Sequence, residues 1–221
     1  MSRPLAVLRP EPGNAATAGR IEALGRRAIR LPLFETRAMP WEAPDPERFD
    51  CLIFTSANGV RHAGPGVAPL KHLPVLAVGS ATASAARAAG FRVAITGSDD
   101  AAALLAEAER SGFRHALHLA GRERRMAEGG IVRRIATVYA SEPLPVTAIQ
   151  AAELTGSIAL LHSPRAAQRL AEIIGEARSK IAVAAISEAT AVAAGAGWER
   201  IAIAAAPRDA SLIDTACALA D

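Results

Sequence analysis

The sequence predicts a three-layer α/β architecture with parallel sheets, built from two copies of one module. Short runs rich in Leu, Val and Ile alternate with longer Ala-rich segments of helical spacing, which is the pattern of βαβ units. Several of the short runs are apolar at every position, as a sheet covered by helices on both faces requires. The chain also repeats itself at a long, nearly constant offset.

In chain order, the first strand is Leu5–Leu8, followed by a helix at Thr17–Leu24 and a second strand at Ala28–Leu33. Cys51–Phe54 and Val75–Val78 are the next strands. A helix at Ala81–Ala89, a strand at Val93–Ile95 and a helix at Ala101–Arg110 follow. His115–Leu119 and Ile135–Tyr139 are strands with a short polar connection between them. The last part reads as strand Ile158–Leu161, helix Pro164–Ile174, strand Ile181–Ile186, helix Ala189–Ala194 and strand Ile201–Ala204. The many alanines favour helix and permit close helix–sheet packing.

Phe54-Thr55-Ser56-Ala57-Asn58 ends one strand and opens one helix, and Leu161-His162-Ser163-Pro164-Arg165 does the same 107 residues later. Val75-Leu-Ala-Val-Gly-Ser-Ala-Thr82-Ala pairs with Val183-Ala-Ala-Ile-Ser-Glu-Ala-Thr190-Ala. Val93-Ala-Ile95 with Asp99-Asp100-Ala101 pairs with Ile201-Ala-Ile203 with Asp209-Ala210. A period this long is a duplicated domain of roughly 100 residues, not a solenoid. The leftover pieces, Leu5–Leu33 and His115–Tyr139, also resemble each other. A cut near residue 110 and a pair of cuts near 36 and 141 fit this pattern equally well.

The 221 residues are 51% hydrophobic, 21% charged and 4% aromatic, near globular averages. Cys51 and Cys217 make no disulfide framework, and no Cys/His spacing reads as a metal site. All but two of the 25 basic residues are arginine, the exceptions being Lys71 and Lys180. The net charge is +3. Arginine forks suit carboxylates and phosphates, and arginine in place of lysine also follows from coding bias. Scattered arginines with two Trp, one Tyr and five Phe disfavour nucleic acid as a partner. No signal peptide or membrane span is expected, so the expected location is the cytoplasm.

The informative positions are strand ends, where open α/β sheets bind ligands. Four carry small hydroxyl residues at the start of a helix: Thr55-Ser56, Ser80 with Thr82, Ser163, and Ser187 with Thr190. Such hydroxyls cap helices, and the helix starts they cap attract anions. Two such sets would serve a polyanionic ligand. No G-x-G-x-x-G, G-x-x-x-x-G-K-[ST] or G-x-S-x-G motif occurs. His115 and His118 lie on opposite faces of one strand, and each is read as a packed or an exposed side chain. Cys51 is read as a small core residue. Tyr139, the lone tyrosine, could donate a proton or hydrogen bond.

These residues resemble the uroporphyrinogen-III synthase family. The matching pieces, in order, are Leu8-Arg9-Pro10 with Leu31-Pro32-Leu33, then Leu52-Ile-Phe-Thr-Ser-Ala-Asn58-Gly-Val60, then Ala77-Val-Gly-Ser80-Ala-Thr82-Ala83. Thr137-Val-Tyr139, Leu161-His-Ser-Pro164 and Ala185-Ile-Ser-Glu-Ala-Thr-Ala191 complete them. The resemblance implies two similar flavodoxin-like domains joined by a two-stranded linker. One domain takes residues 1–35 and 142–221, the other 38–138, with linkers at about 35–37 and 139–141 and a substrate cleft between the domains.

It further implies a lyase that cyclises hydroxymethylbilane to uroporphyrinogen III with loss of water. Ring D is inverted through a spiro intermediate, and no cofactor or metal takes part. A monomer is the family-based expectation. Tyr139 matches the family's tyrosine. Thr55, Ser56, Asn58, Ser80, Thr82, Ser163 and Thr190 fall in the matched motifs that would bind substrate, and Arg9 would pair with a carboxylate. The segment Gly121–Gly130 is shorter than the family's connection, so a helix there should be absent or a single turn. A two-domain clamp that binds a small polyanion without chemistry is the alternative reading.

Overall fold

A computed structural model describes residues 2–98 and 100–221. Asp99, which closes one of the repeat matches, lies outside the described residues. The chain divides into a terminal unit, Met1–Glu35 with Pro143–Asp221, and a central unit, Thr36–Glu142.

The chain begins in the terminal unit with β1 (Leu5–Val7), α1 (Gly13–Ala23) and β2 (Ala28–Arg30). After β3 (Phe34–Ala38) the central unit continues through β4 (Cys51–Phe54), α2 (Ala57–His62), β5 (Val75–Val78) and α3 (Ser80–Ala88). It closes with β6 (Val93–Gly97), α4 (Ala101–Arg110), β7 (Ala116–Gly121) and β8 (Val132–Pro143). The terminal unit then resumes with α5 (Ala148–Ala152), β9 (Ile158–Leu161), α6 (Pro164–Ile174), β10 (Ala182–Ala185), α7 (Glu188–Ala194), β11 (Arg200–Ile203) and α8 (Asp209–Ala220).

The terminal sheet has the order β2-β1-β9-β10-β11, with every pair parallel. This is the flavodoxin order 2-1-3-4-5. The central sheet has the order β8-β7-β4-β5-β6, again parallel, with β3 added beside β8. Reading β7 and β8 first turns this into the same flavodoxin order, so the central unit is a circularly permuted copy.

Strand periodicity sorts the core into two layers per sheet. Leu5 and Val7 of β1 pack with α1 and α8, whereas Ala6 and Leu8 pack with α6 and α7. In the central unit Leu52 and Phe54 of β4 meet α2 and α3, while Cys51 and Ile53 meet α4. Among the described residues, the sheet face under α4 has no counterpart of α1. The connection Arg122–Ile131 contains no helix and covers part of that face with Met126 and Ile131.

Local differences from the sequence reading have identifiable causes. Helix α1 starts at Gly13 rather than Thr17. There the buried Asn14 amide donates to the carbonyls of Val7 (2.7 Å) and Arg9 (3.0 Å), and Glu11 Oε2 accepts the Ala15 N–H. These bonds outweigh the weak helix propensity of Gly and Asn. The second strand ends at Arg30, before Pro32, which has no N–H to offer a ladder. Strand β8 runs on to Pro143, well past Tyr139.

Candidate functional site

In the central unit, the ends of β4 and β5 and the interior of β8 hold the predicted residues. Ser56 sits just before α2, and its Oγ accepts the Asn58 N–H at 3.2 Å. Its O–H remains able to donate. Asn58 Oδ1 accepts from Arg61 at 3.2 Å. Thr55 Oγ1 lies 3.1 Å from Nε2 of His118, which is fully buried on β7. Burial, aided by the charge of Arg124, pushes the His118 imidazole down to about 4. A neutral imidazole therefore fixes the Thr55 hydroxyl.

At the β5 end the expected hydroxyl cap is replaced by Gly79, whose φ of 79° suits glycine. Ser80 is the first residue of α3 and exposed, and Thr82 is 5% exposed. The missing side chain leaves the first N–H groups of α3 without a side-chain cap.

Tyr139 is half-buried on β8, opposite Gly121 in the parallel ladder. Its ring lies against that glycine: a Cβ built on Gly121 would fall 2.6 Å from Tyr139 Cζ and 2.9 Å from its hydroxyl. On another side the ring centroid is 6.0 Å from that of His62. Burial, with the charge of Arg61, lowers the His62 pKa. A neutral imidazole thus neighbours the phenol.

In the terminal unit, Ser163 caps α6 by accepting the Ala166 N–H at 3.2 Å. Ser187 caps α7, and its Oγ is 3.0 Å from Thr190 Oγ1. Thr190 is fully buried, so it shapes its loop. Arg9 meets a carboxylate of the protein itself: its Nη1 lies 3.4 Å from Asp209 Oδ1 and 3.4 Å from Thr17 Oγ1.

Asp209 gathers more than Arg9. Its Oδ1 accepts from the Thr17 hydroxyl at 2.8 Å and is 2.7 Å from His162 Nε2, and its Oδ2 accepts from Arg20 at 2.5 Å. Burial acts to raise the Asp209 carboxyl, but hydrogen bonds from His162, Thr17 and Arg20 hold it well below the usual carboxylate range. His162 is lowered, chiefly by burial and against the pull of Asp209. Sequence reasoning gave His118 and His162 no binding role and saw Asp209 only in a repeat match, because Thr55 and His118 are 63 residues apart, His162 and Asp209 are 47 apart, and Thr17 and Arg20 lie 192 and 189 residues from Asp209. The one available signal was a histidine inside an otherwise apolar strand.

Among the described residues, no helix is long and apolar enough to cross a membrane, and no group of three His, Cys, Asp or Glu is placed to hold a metal.

Fold and strand ends together define a twice-built flavodoxin-type α/β protein with hydroxyl and amide donors where its parallel strands end. The family model described as HEM4, uroporphyrinogen-III synthase HemD, matches residues 15–214, and the chain belongs to that family. Among solved structures, uroporphyrinogen-III synthetase from Helicobacter pylori matches with a TM-score of 0.71 at 21% identity, over 99% of this chain and 100% of that one. A mutant uroporphyrinogen III synthase from the extremely thermophilic bacterium Thermus thermophilus matches with a TM-score of 0.54 at 18% identity, over 97% and 96%. At these identities both show the shared fold. Among curated proteins, none matches the sequence closely enough to count as a relative.

Proposed function

We propose that this chain works as a uroporphyrinogen-III synthase, a lyase of tetrapyrrole and heme biosynthesis, with Tyr139 as its hydrogen-bond donor to the departing hydroxyl. The observation that carries the activity is the family match over residues 15–214.

Hydroxymethylbilane loses its hydroxyl as water, and the resulting azafulvene cation is attacked by the substituted carbon of ring D. The spiro intermediate fragments and recloses with ring D inverted. The protein has to hold the chain so that this carbon lies nearest the cation. The phenol of Tyr139, held on Gly121 beside His62, suits proton assistance at the leaving oxygen.

The substrate's acetates and propionates fit donors rather than fixed cations. Ser56 and Ser163 accept a backbone N–H and keep an O–H to give. Thr55, held by His118, and Asn58 add to the central set, and the uncapped first turn of α3 with Ser80 and Thr82 supplies amides. Arg9 uses only Nη1 toward Asp209 and Thr17, leaving other guanidinium donors for a carboxylate. Thr190 supports the Ser187 loop. The two compact units would serve as the enzyme's domains, with 35–37 and 139–141 as linkers.

Incubation with hydroxymethylbilane, followed by chromatographic separation of the product isomers, tests the activity: a product that is only the uninverted isomer refutes it. Tyr139→Phe should lower kcat with little change in KM, and an unchanged kcat removes the donor role.

A further inference from the structure

At the opposite end of the central sheet from Thr55 and Tyr139 lies an open surface cavity of about 590 Å³, lined by Glu47, Arg48, Phe49, His115, Arg133 and Arg134, all exposed except Phe49. These residues precede or open β4, β7 and β8, whose other ends carry the candidate site. In a regular strand the adjacent residues Arg133 and Arg134 would point to opposite faces. Here Val132 faces Ala116 and Arg134 faces Leu117, so Arg133 is an extra residue in the ladder. Such a β-bulge re-aims side chains, and both arginines line the one cavity.

The charge around the cavity is unbalanced. Among the described residues, Glu47 is the only acid in its lining. Asp50, nearby, accepts at Oδ2 from the backbone N–H groups of Arg114 (2.7 Å) and His115 (3.1 Å), with His115 Nδ1 3.9 Å from the same oxygen and Oδ1 buried without a hydrogen-bond partner. Arg133 Nε donates to the Arg114 carbonyl at 3.2 Å, which orients the guanidinium and leaves its outer fork unused. Among the described residues, no carboxylate pairs with Arg48, Arg133 or Arg134. Three such groups round one cavity repel each other, and a bound dianion removes that repulsion.

We propose that this cavity is a second binding site, for a small phosphate-bearing molecule, separate from the site for the tetrapyrrole. Three planar forks match the several oxygens of a phosphate. Phe49, 8% exposed, adds a small apolar contact for an organic group.

Calorimetric titration of the intact chain with inorganic pyrophosphate, at fixed ionic strength, should show one saturable site. Arg134→Ala and Arg48→Ala should each weaken it by about ten- to a hundredfold. Arg134→Lys should restore only part of the loss, since a point charge lacks the fork. Arg200→Ala removes an equal charge from exposed β11 and should leave affinity unchanged. Failure to saturate at millimolar pyrophosphate, or equal weakening by Arg200→Ala, overturns the proposal. Malonate binding as tightly as pyrophosphate overturns the phosphate assignment. None of these readouts depends on the cyclisation activity.

Discussion

Replacing Asp209 by alanine should destabilise the terminal unit by about 3 kcal/mol. The carboxylate is the common acceptor for Thr17, which is fully buried, and for His162, whose side chain is 9% exposed. Each buried donor left without an acceptor costs about 1–1.5 kcal/mol. Arg20 and Arg9 have side chains 60% and 34% exposed, so water replaces their partner and they add only about 0.5 kcal/mol together. For a protein of this size, about 3 kcal/mol lowers the midpoint of thermal unfolding by about 6–12 °C. Asp209→Asn keeps an oxygen for Thr17 and His162 and should lose only about a third as much. The folded pKa of Asp209 is depressed. Its contribution is therefore present above the unfolded carboxyl value, near pH 4, and lost as pH falls through the lower folded value. The gap between the native chain and Asp209→Asn should close in acid. Differential scanning calorimetry at neutral and acid pH reads all of this. A midpoint for Asp209→Ala within about 2 °C of the native one, or equal damage from Asn and Ala, would refute the shared-acceptor reasoning.

Gly121→Ala puts a methyl group 2.6 Å from the Tyr139 ring. It should cost about 1–3 kcal/mol and lower kcat by displacing the phenol. In a double-mutant cycle with Tyr139→Ala the stability loss should largely vanish, and simple additivity would count against the contact. For His118, the folded value of about 4 lies below the unfolded value near 6.5. Only the unfolded state gains the proton between these limits, so stability should be flat above pH 6.5 and fall by about 3 kcal/mol as pH drops toward 4. Denaturant titrations over this range should show that slope reduced in His118→Gln. A slope equal to that of the native chain would mean His118 is not held neutral.

What could be read from the sequence was whatever lies close together along the chain. Alternation of apolar runs and Ala-rich helices gave the layered parallel sheets, because each strand and its covering helix are neighbours in sequence. The offset of the Thr55-Ser56 and His162-Ser163 segments identified β4 with β9, and the next two matches identified β5 with β10 and β6 with β11. Pairing across the sheet was not readable. The Thr55–His118 contact depends on the register of β4 against β7, and the Gly121–Tyr139 contact on a bulge at Ala120/Gly121. Asp209 was seen only as part of a repeat match, since its partners on α1 and beyond β9 are assembled by packing. The absent helix in Gly121–Gly130 was legible only by setting the length of that segment against the connection of the resembled family. What fills its place was not, because the ties of that segment, such as Arg122–Glu142 and Arg124–Thr137, join exposed polar groups without periodic spacing.

The permuted sheet order makes the strand-end loops of the two units equivalent in pairs, and this separates donors left open from those that build their loop. At the first pair the copies agree: Ser56 and Ser163 each cap their helix through the side-chain oxygen and keep a hydroxyl proton. At the second pair they differ. Ser187 has an extended φ of −157°, and its hydroxyl is closed onto Thr190 and the Thr190 N–H. Gly79 occupies the matching position with φ 79° and no side chain, and Ser80 beside it is exposed. The duplicated loop thus satisfies its own helix in the terminal unit and leaves that need open in the central one. Uncapped N–H groups at the start of a nine-residue helix keep their attraction for an anion. Carboxylate recognition should accordingly rest more on 79–82 than on 187–190. Gly79→Ser, which would be strained at this φ, should then raise KM more than Ser187→Ala does.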